Sequence, residues 1–217
     1  MDWIRFRFSK NESLGYYEDL ACDFQDKSMR ALAEKYARTD VVDFEIMIET
    51  NRLILRLMNE NDVDDMLRIF TDENVLKSFG LQSFSREQMK MWVDRNLSHQ
   101  NKYGYGLFSV ILKSNQELIG DCGLEHTKFE GRPCVEIGYD FLSKYWNQGY
   151  ATEAAKAVRD YAIRELNIDP KSVCSFIRTN NKASQRVSEK IGMQRIKEFK
   201  ADDIDRYLYA FSKEYFT

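Results

Sequence analysis

The chain has 217 residues, of which 43% are hydrophobic, so it is long and apolar enough to form one globular domain with a substantial core. Its 32 basic and 35 acidic residues give a formal net charge of -3, which argues against a general attraction to nucleic acid or to an anionic membrane. The amino terminus alternates polar and apolar residues and contains no long apolar run, so we expect a cytoplasmic protein without a signal peptide or membrane span.

The cysteines and histidines argue against a metal site. The four cysteines are widely spaced and include no Cys-x-x-Cys pair, which predicts buried reduced thiols rather than zinc ligands. With His99 and His126 as the only histidines, we expect no metal cofactor. The cysteines are Cys22, Cys122, Cys134 and Cys174.

Residues 1–46 are predicted to form an amino-terminal extension before a main domain at 47–217. The extension contains a short alternating strand candidate at 4–8 and a predicted helix at 26–38. It fits either a packed extension or dimer arm, or a lid or acceptor-recognition element. The protein is expected to be a monomer or a homodimer.

The main domain is predicted to open with a strand and two helices. Apolar residues at 52–57 indicate the strand, and Glu60, Asn61 and Asp62 supply capping and first-turn acids for the first helix. Ser85 is the candidate cap of the second helix. The apolar residues at helical spacing are Val63, Met66, Leu67 and Phe70, then Met89, Trp92, Val93 and Leu97.

Strand patterns dominate the next part of the chain. Segments 107–112 and 118–124 predict an antiparallel hairpin, which leads to a central strand ending at Phe141. In that strand Val135, Ile137, Tyr139 and Phe141 alternate with Glu136, Gly138 and Asp140, which places the two groups on opposite faces.

The carboxyl-terminal half predicts a return to the sheet. A helix at 152–166 leads to a strand at 173–178, which predicts a parallel pair with the central strand, and 207–211 supplies the last strand. The expected fold is therefore α/β of the α+β kind, a mixed and mainly antiparallel sheet with helices on both faces.

A glycine turn links the central strand to the following helix. Backbone N–H groups at a helix start lack intrahelical partners and carry partial positive charge, so this turn can bind a phosphate without a basic side chain. Gly149 allows close approach of the backbone, and Ala151, Ala154 and Ala155 keep the first turn narrow. Many helices begin this way, so the segment alone is weak support for a phosphate site.

A second segment, 180–193, predicts a loop asparagine, a short helix, a terminating glycine and the apolar start of a further strand. In this order the two segments resemble the motifs of the GNAT superfamily of acyl-CoA-dependent N-acetyltransferases. The second motif of that family is met at Asn181, Ser184, Val187, Lys190, Gly192 and Met193.

The first family motif, (Gln or Arg)-x-x-Gly-x-(Gly or Ala), is filled by Gly149 and Ala151, whereas Trp146 departs from it. A tryptophan at this place resembles the Rim-type branch, which acetylates the amino termini of ribosomal proteins. The opening segment 48–56 also resembles the first strand of that branch, so the resemblance covers roughly residues 47 to 213.

The resemblance implies acetyl-CoA as cosubstrate, with its pantetheine arm lying in a gap between the splayed parallel strands. The backbones of Phe141 and Leu142 are expected to hydrogen-bond the arm, and Asn181 to orient the adjoining loop. Lys190 and Arg186 are candidates for the outer phosphates, or else part of a solvated helix face. The expected cofactor turn comprises Trp146, Asn147, Gln148, Gly149, Tyr150, Ala151 and Thr152.

Acetyl transfer to an amine needs a base, because amines with pKa values of about 8 to 10.4 are mostly protonated near neutrality. The resemblance implies Glu136 as that base, while the alternative is a glutamate that only ties the sheet together. Many members use a tyrosine as acid at the position of Ser188, so Ser184 is the alternative acid here, or an ordinary cofactor contact.

The predicted reaction is acetyl transfer to a primary amine, foremost a protein or peptide amino terminus. The same branch includes enzymes that act on aminoglycosides, polyamines and amino-acid-like compounds, and a non-catalytic acyl-CoA-binding module is a further alternative. The acceptor side is expected at the first two helices, the loop around 79–81 and the segment between the last strands. Six acids and two bases lie in the stretch from Asn59 to Lys77, which would suit a cationic amine, although exposed helix acids are usually solvated. The absence of a Gly-Lys-Ser or Gly-Lys-Thr sequence argues against a nucleotidase.

Overall fold

The computed structural model describes residues 46–79 and 84–216, with no side-chain description for residues 46 and 79. The strand predicted at 4–8, the helix predicted at 26–38 and most of the acceptor loop predicted around 79–81 lie outside the described residues. Their proposed roles therefore stay predictions.

Eight strands form one sheet in the described part of the chain, in the order β1-β2-β3-β4-β5-β6-β8-β7. Every neighbouring pair is antiparallel except β5 and β6, which are parallel. The predicted mixed, mainly antiparallel sheet with one parallel pair is confirmed. The strands are β1 Ile46–Glu49, β2 Leu53–Leu57, β3 Leu107–Leu112, β4 Glu117–Phe129, β5 Arg132–Phe141, β6 Val173–Arg178, β7 Gln194–Ala201 and β8 Ile204–Ala210.

Helices cover both faces of the sheet. Ser85 caps α3 as predicted, since its side chain accepts the Gln88 N–H, whereas the cap before α1 is Asn59, one residue earlier than the predicted acids. Glu60–Asp62 then form a 3-10 turn that leads into α1. The helices are α1 Val63–Phe70, α2 Glu73–Phe79, α3 Arg86–Tyr103, α4 Tyr150–Arg164 and α5 Lys182–Lys190.

The core is divided by the sheet into two layers. On one face α1 and α3 pack Met66, Met89 and Val93 against Ile54 and Ile111. On the other face α4 packs its alanines and valine against β3, β4 and β5; the residues of this layer include Ala154, Val158, Phe108, Leu124 and Ile137. The predicted alternation in β5 therefore separates a core-facing side from the side that carries Glu136.

Several elements differ from the prediction. A short helix, α2, lies between the two predicted helices, and α4 begins at Tyr150, two residues earlier than predicted. Strands β4 and β5 are longer than predicted, reaching Phe129 and beginning at Arg132, because polar residues beyond the apolar pattern still pair in the sheet. The edge strands are β1 and β7, and the sequence indicated β7, half of whose residues are exposed, only by its apolar start. No helix among the described residues is long and apolar enough to cross a membrane.

Candidate active site between two diverging strands

The parallel strands β5 and β6 separate after a short contact. Their register pairs Val135 with Val173 and Glu136 with Cys174, and the Ser175 hydroxyl then donates to the Ile137 carbonyl at 2.8 Å. A cavity of about 290 Å³ lies where the strands diverge. Its lining residues are Ser78, Glu125, Glu136, Ile137, Gly138, Tyr139, Asp140, Ser175, Phe176, Ile177, Arg178, Asn181, Ser184 and Arg206.

Glu136, the predicted base, lies in the wall of this cavity. One carboxylate oxygen accepts the Phe176 N–H at 3.1 Å, which anchors the side chain across the two strands. Burial within the protein raises the pKa of Glu136 to about 7, with a further increase from the Glu125 charge and opposing contributions from the Phe176 N–H and Arg206. A carboxyl group with this pKa can accept a proton near neutral pH.

Further carboxylates share the face of Glu136. Glu125 lies directly opposite it in the register, and a Cβ placed on Gly138 would be 3.9 Å from the Glu125 Oε2, so this carboxylate covers the glycine. Asp140 follows along β5, and its cross-strand partner Asp121 is fully buried with no hydrogen-bond partner for either oxygen. Burial and the neighbouring carboxylates raise the pKa values of Asp121 and Asp140.

The opposite wall of the cavity is basic. Arg178 at the end of β6 and Arg206 in β8 are register partners and both line the cavity. Since Cys174 pairs with Glu136 on one side and with Ala210 on the other, strand alternation places both arginines on the face of Glu136. The cavity therefore has an acidic wall on β4 and β5 and a basic wall on β6 and β8.

The start of α5 closes one side of the cavity, with Asn181 and Ser184 in its lining. Asn181 caps the helix, and its side-chain oxygen accepts the Ser184 N–H at 3.1 Å. The Tyr139 hydroxyl donates to the Ser184 carbonyl at 3.0 Å, which ties β5 to the helix. Ser184 therefore lies at the cavity, where it can serve as either a cofactor contact or an acid, and neither role is decided by these bonds.

The predicted cofactor turn lies between β5 and α4. Asn147 and Gly149 both have positive φ angles, 60° and 85°, so the backbone turns sharply before α4 begins at Tyr150. The Trp146 indole is partly exposed and donates to the Phe141 carbonyl at 2.7 Å, and the Gln148 side chain donates to the Lys144 carbonyl. Ala151 and Thr152 continue the first turn of the helix, whose leading N–H groups have no intrahelical acceptor.

An ion pair from the start of β2 holds this turn. Arg52 bonds Glu153 through its Nε at 2.6 Å, donates to the Gln148 carbonyl at 3.0 Å, and lies 4.1 Å above the Tyr150 ring. Glu153 also accepts the Thr50 hydroxyl and the Arg52 backbone N–H. Although burial opposes it, these hydrogen bonds lower the pKa of Glu153 and keep the pair charged.

Three other predicted cofactor residues either have backbone groups already bonded within the protein or lie away from the cavity. The Leu142 N–H already donates to the Ile119 carbonyl at 3.0 Å, and the Phe141 carbonyl accepts the Trp146 indole. Lys190 is exposed at the last residue of α5, at the end opposite the cavity. The roles of Phe141, Leu142 and Lys190 in cofactor binding stay predictions.

Sequence reasoning assigned no role to five residues that shape the site. Asp140 could have been found by its period-2 spacing from Glu136, and Arg52 lay within a segment noted only for its resemblance. Glu125, Asp121 and Arg206 depend on pairing between distant strands, which no local pattern reveals.

Comparisons with known proteins agree with this geometry. The acetyltransferase (GNAT) domain family matches residues 52–194. The chain belongs to this family. The GNAT domain found here includes both diverging strands, the cofactor turn and α5, and so contains most of the candidate site.

Among the relatives of this GNAT protein is an uncharacterised N-acetyltransferase, YnaD of Bacillus subtilis (strain 168), with 32% identity over 77% of this chain and 97% of the relative. A GNAT acetyltransferase from Bacillus anthracis has a solved structure with 30% identity and a TM-score of 0.64, covering 79% of this chain and 99% of that one. The protein is therefore an acyl-CoA-dependent N-acetyltransferase.

Rim-type enzymes are among the structural neighbours. An acetyltransferase of Salmonella typhimurium that modifies the N-terminal serine of ribosomal protein L7/L12 aligns with a TM-score of 0.64 at 19% identity, covering 76% of this chain and 98% of that one. At this identity the likeness concerns the fold. No cluster of metal-ligating side chains occurs among the residues described.

Proposed function

We propose that this GNAT protein transfers the acetyl group of acetyl-CoA to the primary amine of a protein or peptide amino terminus. The observation that carries the proposal is the position of Glu136, whose carboxylate lines a cavity at the point where β5 and β6 diverge and has a pKa of about 7. A base at this position would lie beside the gap in which the resemblance locates the thioester.

In the proposed reaction Glu136 accepts one proton from the incoming ammonium group. The neutral amine then forms a bond to the carbonyl carbon, and the bond from that carbon to sulfur breaks. The second proton that the nitrogen loses passes to the departing thiolate or to solvent, which leaves the neutral amide. Backbone N–H groups in the gap would stabilise the charge that develops on the carbonyl oxygen, and loss of one such donor typically costs about 100- to 1,000-fold in rate. The protonated Glu136 returns its proton to solvent before the next turnover.

The departing thiolate needs little help to leave. By analogy with cysteine its thiol has a pKa of about 8.5, so it is a moderate leaving group near neutral pH. Ser184 is the residue we assign to contact it, because its helix turn lines the cavity and is fixed by Asn181 and Tyr139. Ser188 is fully buried on the inner side of α5 and does not line the cavity.

The cofactor turn fits the phosphates of acetyl-CoA by its backbone. Gly149 has no side chain to obstruct a pyrophosphate, and α4 presents its leading N–H groups at the same place. We assign Trp146 to Thr152 to this contact. Acetyl-CoA would supply the activated acetyl group, and the chain would bind, orient and deprotonate the acceptor.

The choice of a protein amino terminus follows the Rim-type neighbours. The charged lining of the cavity also favours a small charged amine, so small-molecule acceptors form the second candidate class. Both classes use the same base and the same cofactor turn.

The test measures free thiol release from acetyl-CoA with a panel of amino-terminal peptides, polyamines, amino acids and aminoglycosides. Alongside it, calorimetry measures coenzyme A binding to the wild type, to Glu136→Gln and to the control Glu198→Gln, which removes an exposed carboxylate on β7. We expect Glu136→Gln to lower kcat by about 100- to 10,000-fold and to keep coenzyme A binding.

The outcomes distinguish a transferase from a non-catalytic acyl-CoA-binding module. Thiol release that depends on one acceptor class names the substrate. Coenzyme A binding without release for any acceptor would favour a binding module, and full activity of Glu136→Gln would refute its role as the base. Glu198→Gln should behave as wild type.

A further inference from the structure

We propose that the acceptor carries an anionic group, such as a carboxylate, close to the amine that is acetylated, and that Arg206 binds this group. The inference rests on the proposed acetyl transfer and adds a chemical class to its substrate. It makes Arg206 a specificity-determining residue that neither the family motifs nor the predicted acceptor loop includes.

Arg206 lies on the acceptor side of the sheet. It belongs to β8, pairs with Arg178 of β6, and lines the same cavity as Glu136. Because side chains alternate along a strand, Arg206 lies on the face of the sheet that carries Glu136, while Tyr207 and Tyr209 lie on the other face. A group bound at Arg206 would therefore be held within the cavity that contains the base.

The Nε of Arg206 has no hydrogen-bond partner in the described part of the chain. This atom is buried although the residue as a whole is only half-buried, and the Arg206 charge acts on Glu136 without a hydrogen bond between them. A buried N–H donor without an acceptor is costly, because it has lost its hydrogen bond to water. An arginine held in this way at a cavity wall indicates an anion that arrives with the ligand.

The charges of the two walls match an acceptor that has both signs. Glu136, Glu125 and Asp140 form the acidic wall, which suits the incoming ammonium group, and Arg206 lies in the basic wall. A second ammonium group at the basic wall would be repelled, whereas a carboxylate there would form a charge-assisted pair. The cavity thus discriminates against acceptors with two neighbouring positive charges.

The size of the cavity limits the separation of the two groups. Both walls belong to one space of about 290 Å³, which is the scale of a small ligand. One residue of extended chain spans about 3.5 Å, so the anion belongs to the same residue as the amine or to the next one. The two sources are a free α-amino acid and a peptide with an acidic residue near its amino terminus.

The experiment compares kcat/KM within two matched acceptor pairs at pH 8.5. Alanine against alaninamide tests a free amino acid, and Ser-Glu-Ala-amide against Ser-Gln-Ala-amide tests an acidic peptide. The proteins are the wild type, Arg206→Gln, Arg206→Lys and the control Arg195→Gln, which removes one positive charge from the exposed side of β7. The ratio within each pair is compared between the proteins, so differences in amine pKa between the two acceptors cancel.

We expect the ratio of anionic to neutral acceptor to depend on Arg206 in at least one pair, and that pair identifies the source. Arg206→Gln should lower the ratio of anionic to neutral acceptor by roughly 10- to 100-fold, as expected for a lost charge-assisted hydrogen bond. Arg206→Lys should retain part of the ratio, because it keeps the charge but loses the planar fork. Arg195→Gln should keep the wild-type ratio.

Two results would overturn the proposal and are distinguishable. If neutral and anionic acceptors react with the same ratio in the wild type and in both Arg206 variants, the anion site is refuted and the transferase stands. If the wild type acetylates no acceptor at all, the proposed function fails and the inference fails with it. Thermal unfolding of each variant verifies that the chain is folded.

Discussion

The cofactor turn and the charged cavity are built in different ways. The cofactor turn, residues 146–152, is formed by consecutive residues whose backbone is fixed by Arg52 and Glu153. The cavity combines charged side chains from β4, β5, β6 and β8. The Arg206 Nε in its wall has no hydrogen-bond partner, and neither has either oxygen of Asp121, which is buried beside it. In our proposal the backbone site for the phosphates is complete without a ligand, whereas the side-chain site for the acceptor is completed by its ligand.

The largest effect is expected from a substitution that disrupts the cofactor turn and leaves the cavity intact. Gly149→Val places a branched side chain at φ 85°, and its first carbon would already contact the Arg52 guanidinium at 3.5 Å. We expect coenzyme A affinity to fall by at least about 100-fold, since a displaced turn loses several phosphate contacts together. Calorimetric titration of coenzyme A measures the change.

Gly131→Val is the matched control for this experiment. Gly131 has a similar φ of 82° in the turn between β4 and β5, but nothing lies within 4 Å of a Cβ added there. It therefore carries the same backbone strain away from the turn. Equal affinities for Gly149→Val and the wild type would refute the assignment of the phosphates to this turn.

The second prediction concerns the cavity and the pH dependence of the reaction. Because the Glu136 pKa is about 7, the carboxylate is protonated and inactive at lower pH, so kcat/KM should fall about tenfold per pH unit below 7. The groups that face it are Glu125, Asp140 and Arg206. In Glu136→Gln this acid limb of the pH–rate profile should disappear, leaving only the pH dependence that comes from ionisation of the acceptor amine.

Asp140→Asn distinguishes the two carboxyl groups that titrate in the cavity. If Asp140 rather than Glu136 were the base, its replacement would remove the limb and Glu136→Gln would preserve it. A profile in which neither variant changes the acid limb would show that the base lies elsewhere.

The contrast between the cofactor turn and the charged cavity also explains which parts of the site could be predicted from the sequence. The parallel pair and the glycine turn follow from alternation and helix signals in consecutive residues, and the family resemblance singled out Glu136. The structure has the parallel pair, the turn between β5 and α4, and Glu136 in the cavity wall. The two walls of the cavity do not follow, because Glu125 meets Glu136 through a hairpin register and Arg206 reaches the site through pairing of β6 with β8. Register is set by the packed sheet and is weakly encoded in any one strand.

A third prediction tests whether Arg52 organises the turn. Arg52→Met keeps much of the side-chain length but removes the bonds to Glu153 and Gln148, so the turn should lose its fixed geometry. We expect KM for acetyl-CoA to rise about tenfold, and KM for S-acetylpantetheine, which lacks the phosphates, to change far less. Steady-state kinetics with both thioesters measures the difference.

The control for Arg52 is Arg86→Met, which removes an exposed ion pair with Asp64 at 2.7 Å, on the helices and away from the turn. An exposed pair of this kind contributes little, so both thioesters should behave as in the wild type. If Arg52→Met raised both KM values equally, Arg52 would act through general stability and not through the phosphate turn.

The smallest effect concerns stability and the carboxyl pair behind the cavity. Asp121 is fully buried, and burial with the charges of Asp140 and Glu125 raises its pKa in the folded protein above that of the unfolded chain. An acid of this kind binds a proton on folding, so its contribution to stability declines as pH rises from about 4 through the folded pKa. Asp121→Asn removes this decline.

The melting temperature of Asp121→Asn should therefore exceed that of the wild type more at pH 8 than at pH 5, by roughly 2–4 °C for each kcal/mol recovered. Asp205→Asn, at an exposed position of β8, should show no such difference between the two pH values. A gain that is the same at both pH values would mean that the buried carboxyl group is not what limits stability at high pH.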